Sequence, residues 1–178
     1  MGQAPEERSG LWTFMLEFYA LPGVAPACLR LQDTYQLDIP LFLAVLRAAS
    51  LGTCLDAEEF RELDRKCAGW RDAVIRPLRS IRRAMKADAQ LTAEDAAPEL
   101  REDIKRIELR AERIEIDMLE RLLAELPLAD HPDIPGTLHS AARLMLGNQV
   151  SKRIESLPAD AAMIVDTIAS FAERARKS

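Results

Sequence analysis

Histidine is almost missing from this chain: only His131 and His139 occur in 178 residues. Neither stands three residues after a glutamate, so the Glu-x-x-His pairs of carboxylate-bridged di-metal bundles are excluded. Two histidines in the less regular C-terminal third are also poor material for a Ser–His or Cys–His pair. There is no G-x-S-x-G, no P-loop and no G-x-G-x-x-G after a strand. The expectation is therefore no catalytic residue, no metal and no cofactor. Cysteine is scarce too: Cys28, Cys54 and Cys67 are odd in number and form no CxxC, which suits reduced, buried thiols. No apolar run approaches the roughly 18 residues of a membrane span. The opening MGQAPEERSG is too polar for a secretory leader, and Glu6 stands where myristoylation of Gly2 needs Ser or Thr. Cytoplasmic residence is expected by exclusion.

Aromatic residues make up only 5% of the chain, and β-branched runs are nearly absent. What remains is rich in Ala, Leu, Glu and Arg, the strong helix formers. A composition of 48% apolar and 30% charged residues belongs to an ordinary folded protein, and the length suits one domain. The net charge of −5 argues against bulk binding to nucleic acid or acidic membranes. The expected fold is all-α: a single-domain bundle of about seven helices with one long central helix. Residues 9–126 would form its core and 127–178 a C-terminal helical extension of the same domain.

Local signals place the helices. Ser9 can cap a first helix, Leu11 to Ala20, which Pro22-Gly23 breaks. A second runs from about Val24 to Gln36 with Pro26 in its first turn. Asp38 caps a third, apolar almost all round and hence central, which Gly52 ends. Asp56 and Glu59 make a capping box for a fourth helix reaching about Ala68, where Gly69 should break or bend the chain. A fifth, Trp70 to Ala87, should kink or restart near Arg76 because Pro77 cannot continue the ladder. Gln90 to Ala97 reads as a loop. Pro98 opens the longest helix, ending before Pro127, with one stripe of Leu100, Ile104, Ile107, Ala111, Ile114, Met118 and Leu122. A second stripe holds Leu109, Ile116, Leu119, Leu123 and Leu126, and so wide an apolar face implies packing against two or more helices. PLADHPDIPG must be a connection. Helices at about 137–156 and from Pro158 to about Arg176 complete the chain.

Three clusters stand out. In WRDAVIRPLRSIRRAMK, six cations face one acid, Asp72. Val74, Leu78, Ile81 and Met85 keep one helical face, so Arg79, Arg82, Arg83 and Lys86 share the other. Aligned guanidinium groups can grip phosphate or carboxylate bidentately. The alternative is pairing with acids of the long helix, which offers Glu102, Asp103, Glu108, Glu112 and Glu115. RNA is disfavoured, because no aromatics are interleaved to stack bases. The second cluster is Asp33, Asp38, Glu108 and Glu112. A cap at Asp38 and arginine partners for the glutamates explain it without a metal. The aromatic run LWTFMLEFY is either core or the lining of a hydrophobic cavity or dimer seam.

The run from Trp12 to Ile39 resembles an uncharacterised proteobacterial helical family. Its pattern W-x-F-x-L-x-x-Y falls on Trp12, Phe14, Leu16 and Tyr19. P-G-V falls on Pro22, Gly23 and Val24, and A-C-L-x-L-Q-D on Ala27, Cys28, Leu29, Leu31, Gln32 and Asp33, before Asp38-Ile39. Further matches are Trp70, Arg76 to Arg79, Arg82-Arg83 and Lys86, then Lys105, Glu108, Leu109, Ala111, Glu112 and Arg113. The resemblance spans about residues 11–126, although Pro40 stands where the family pattern has Asn. It implies a helical domain of unknown function and brings no activity.

The sequence thus predicts a non-enzymatic binding or adaptor protein. Its binding candidates are Arg76, Arg79, Arg82, Arg83, Lys86, Gln32, Asp33, Asp38, Glu108 and Glu112, directed at an acidic protein or a small anionic ligand. The alternative is a carrier of, or enzyme on, a small hydrophobic substrate inside the bundle. A homodimer through the long helix is a third expectation.

Overall fold

The computed structural model describes residues 10–87, 96–129, 133–149 and 154–177. Ser9, most of the loop expected after Gln90, and His131 lie outside them. The described residues form α1 (Gly10–Tyr19), α2 (Val24–Tyr35), α3 (Ile39–Ser50), α4 (Ala57–Trp70), a π-helical segment (Arg71–Ile75), α5 (Arg76–Ala87), α6 (Ala97–Ala124), α7 (Ile134–Gln149) and α8 (Ala159–Lys177). Because the π segment fuses α4 to α5, these make seven continuous rods. Extended pairing among the described residues is limited to one antiparallel bridge between Thr53 and Leu128. No single helix among them is long and apolar enough to cross a membrane.

Helix ends follow the local chemistry. Gly23 takes a φ of 84° between α1 and α2, a left-handed conformation that glycine adopts without a Cβ clash. The Asp38 carboxylate accepts from the Leu41 amide at 2.7 Å, so the orphan donors of α3 are met with Pro40 in its first turn. Asp56 accepts from the Glu58 and Glu59 amides while Glu59 answers to the Asp56 amide, completing the capping box. At the start of α1 the Leu11 amide donates to Glu120 of α6 at 2.9 Å, an acid at the positive end of a helix.

Three expectations change. Gly69 does not break the helix, which runs through it to Trp70. The irregularity imposed by Pro77 appears upstream, as the π-helical turn in which the Arg76 amide reaches back to the Arg71 carbonyl. Finally, the helix expected over 137–156 is shifted. It starts at Ile134, inside the proline-rich connection, with Pro135 in its first turn and Asp133 just ahead. It ends at Gln149.

The core has α3 at its centre. Leu41 to Leu46 are all buried, and α3 packs against α6, α7 and α8. One hydrophobic cluster joins Phe14 and Phe18 of α1, Phe42 of α3, Leu119 of α6, Leu138 and Leu146 of α7 and Ile164 of α8. Phe14 and Phe18 of the N-terminal aromatic run are core, stacked at 5.4 Å with Phe171 edge-on to Phe14 at 5.5 Å, while Trp12 is partly buried and Tyr19 exposed. The guanidinium of Arg47, the one charge on α3, lies 4.9 Å from the centre of the Phe14 ring.

The apolar stripes of α6 do not both face inward. Ile116, Leu119 and Leu123 are buried, but ahead of them the buried line carries Glu108, Ala111 and Glu115. Leu100, Ile107, Leu109 and Ile114 are about half exposed. Acids occupy that inner line because the π segment and α5 present arginines to it.

Candidate functional site

The π segment sets the phase of everything around the site. Phe60, Leu63 and Cys67 line the inner side of α4, and the same line continues through Arg71 and Ile75, both buried. Past the π turn, Arg79 and Arg82 fall on the inner side of α5 against α6.

Arg71 is the best-connected cation of the described residues. Only 6% exposed, it meets acids from three elements. Its Nη1 donates to Asp64 of α4 at 2.7 Å, and its Nε donates to Glu115 of α6 at 3.1 Å. Asp38, the cap of α3, lies 2.8 Å from the same Nε. Its Nη2 and the Glu115 Oε2 have no hydrogen-bond partner among the described residues. Burial acts against the guanidinium charge, but Asp38, Asp64 and Glu115 outweigh it and raise the Arg71 pKa. One cation cannot balance three carboxylates, and the buried Glu115 carboxyl takes the consequence. Burial, then the Asp38 charge, push its pKa up to about 7. The Cys67 thiol beside the group is likewise pushed up to about 11, mainly by burial and then by Glu115.

One turn further, Arg79 donates to Glu108 at 3.0 Å and to Glu112 at 2.5 Å, and Arg82 donates to Glu108 at 2.5 and 3.2 Å. Burial raises the Glu108 pKa, but the hydrogen bonds from Arg82 and Arg79 exceed it and hold the carboxyl below its ordinary range. Glu112 is shifted the other way, upward, because burial prevails over Arg79. These two arginines and two glutamates form an internal seam.

The remaining cations lie outside it. Arg83 meets Asp33 at 2.8 Å and Arg76 meets Asp72 at 2.6 Å, and each of these four side chains is about half exposed. Lys86 is exposed on the last turn of α5. Between the end of α2 and α5 lies a cleft of about 540 Å³, lined by Gln32, Gln36 and Asp38 on one side and Arg71, Arg76, Arg79, Ser80 and Arg83 on the other. Asp38 is the sole acid of that lining, and both of its oxygens are engaged, one on the Leu41 amide and one at Arg71.

The structure therefore divides the predicted site residues. Arg79, Arg82, Glu108 and Glu112 are internal, as the pairing alternative expected. Arg76, Arg83 and Gln32 face the cleft, with Asp33 alongside as the partner of Arg83. The four predicted carboxylates do not form one constellation: Asp33 pairs with Arg83 and Asp38 with Arg71, while Glu108 and Glu112 share Arg79. Sequence reasoning passed over Arg71 and Asp64. The available signal was the spacing Leu63, Cys67, Arg71, which carries the apolar line of α4 straight onto an arginine.

No curated protein and no solved structure matches the chain. A family model does, over residues 10–119, which takes in α1 to α5 and most of α6 and so every residue of the seam and the cleft. The chain belongs to that family, described as a protein of unknown function (DUF2390).

Proposed function

We propose that the protein is a non-enzymatic binding protein whose cleft between α2 and α5 takes a carboxylate or phosphate group, presented by an acidic protein segment or a small anionic ligand. The observation that supports this reading is the contrast between the two arginine classes. Arg79 and Arg82 hold buried counter-ions and are committed to the fold. Arg76 and Arg83 hold exposed ones, Asp72 and Asp33, and exposed pairs contribute only about 0–1 kcal/mol each. An anion that bridges both guanidinium groups can displace those partners at small cost. Gln32, Gln36 and Ser80 add neutral hydrogen-bonding groups around it.

Isothermal titration with an oligoglutamate peptide, citrate and inorganic phosphate tests the reading. At least one probe is expected to bind the wild type, more weakly as salt rises. The double reversal R76E/R83E should abolish binding and leave the melting temperature nearly unchanged. R79E, which sets a charge against Glu108 and Glu112, should unfold or strongly destabilise the protein instead. Equal binding by wild type and R76E/R83E would refute the site.

A further inference from the structure

From its first turn to past its middle, α6 carries an apolar row that the described residues leave half exposed. Leu100, Ile107 and Ile114 are 55%, 50% and 46% exposed and recur at intervals of seven, so they lie along one line of the helix. The line spans about 21 Å at 1.5 Å per residue. On its inner side Ala111 is already covered, because the Trp70 indole donates to the Ala111 carbonyl at 3.0 Å. Its outer side is flanked by Asp103 and Arg110, again seven apart. Asp103 is engaged within its own helix by Arg106, an exposed i, i+3 pair, and Arg110 has no carboxylate partner among the described residues.

We infer that this row is a self-association surface, on which a second copy of the chain docks antiparallel about a two-fold axis passing by Ile107. The row is symmetric about that residue. In the antiparallel arrangement Ile107 meets Ile107, and Leu100 of each copy meets Ile114 of the other. Charge selects the direction. Antiparallel pairing brings Asp103 of each copy to Arg110 of the other, twice by symmetry, whereas in-register parallel pairing sets Asp103 on Asp103 and Arg110 on Arg110. The surface lies on α6, so it does not require the anion cleft between α2 and α5.

Sedimentation equilibrium of the full chain up to about 100 µM tests this. A dimer is expected. I107E, a charge placed on a half-exposed position, should give a monomer with an unchanged thermal melt. D103R and R110D should each weaken the dimer at least about tenfold by setting like charges together, and the double exchange D103R/R110D should restore it. A wild-type monomer throughout this range overturns the inference. So does a dimer indifferent to I107E, and a double exchange that fails to rescue overturns the antiparallel direction. Loss of anion binding in R76E/R83E would leave all of these results standing.

Discussion

Glu115 is the place where buried charge can be measured. Its carboxyl is fully buried, accepts one hydrogen bond from Arg71 and shares that cation with Asp38 and Asp64. In the unfolded chain it titrates near its ordinary value of 4.5, and in the folded protein near 7. The native state therefore binds the proton more tightly than the unfolded state. The stabilisation is complete below about pH 4.5, falls as the pH rises through about 7, and is gone above that. A gap of this size corresponds to a contribution on the order of 3 kcal/mol. For a chain of this length that is roughly 6–12 °C in melting temperature. The assay is a series of thermal melts between pH 4.5 and 8.5 for wild type and E115Q. Glutamine keeps the shape of the protonated carboxyl and cannot ionise. The two proteins should melt together near pH 4.5, diverge progressively between there and about pH 7, and differ by a constant amount above it, with E115Q the more stable at pH 8. Glu108 and Glu112 titrate in both proteins, so the difference isolates position 115. Parallel curves, or a variant weaker than wild type at pH 8, would show that Glu115 is ionised beside Arg71 well below pH 7 and that the reasoning is wrong.

Other consequences follow from the same structure. Replacing Arg71 by leucine leaves Asp38, Asp64 and Glu115 without their cation, and should cost about 3–5 kcal/mol in a urea titration at pH 7. Unchanged stability would mean that the cluster is not desolvated. Two glycine substitutions should move in opposite directions. Gly69 lies inside a continuous helix with open space where a Cβ would stand, so G69A should stabilise by about 0.5–1 kcal/mol. Gly23 has φ of 84° with only the tip of Met163 nearby, so G23A should destabilise by about 1 kcal/mol through backbone strain alone. Chemical denaturation of both variants checks the pair, and the same sign for both would contradict the described backbone.

Features governed by neighbours in sequence were legible. The caps at Asp38 and Asp56, the breaks at Pro22-Gly23 and Gly52, and Pro98 in the first turn of α6 each depend on a few adjacent residues. The central place of α3 was legible because its apolar residues surround the helix. The inner side of α6 was not. Periodicity reading assigns apolar residues to the interior, and here Glu108, Glu112 and Glu115 go inward while Leu100, Ile107 and Ile114 do not. Only the facing segment explains this, since Arg71 of the π turn and Arg79 and Arg82 of α5 supply the charges that make buried acids tolerable. The break expected at Gly69 is absent for a related reason, since a lone glycine costs about 1 kcal/mol and the packing of Cys67 and Arg71 on either side outweighs it. The outward and inward arginines of α5 could not be separated without the π turn, which changes the helix phase by one residue.

That turn links the fold to both proposed surfaces. Pro77 has no amide to give, and the π-helical segment before it absorbs the extra residue. An added residue rotates α5 by roughly 100° relative to α4. The rotation is what allows Arg71, at the start of the π turn, and Arg79 and Arg82, beyond it, to reach the same side of α6. Buried ion pairs of this kind add little net stability, because desolvation offsets most of their attraction, but breaking one leaves an uncompensated charge and is costly. Their effect is to make the phase of α5 on α6 selective: a one-residue slip would part Arg79 from Glu108 and Glu112. With the interior of this seam given to charge, the apolar residues of α6 are left on its flank, and the arginines that do not reach α6, Arg76 and Arg83, are left at the cleft. Both surfaces thus have one physical origin, a helix pair held in phase by buried charge.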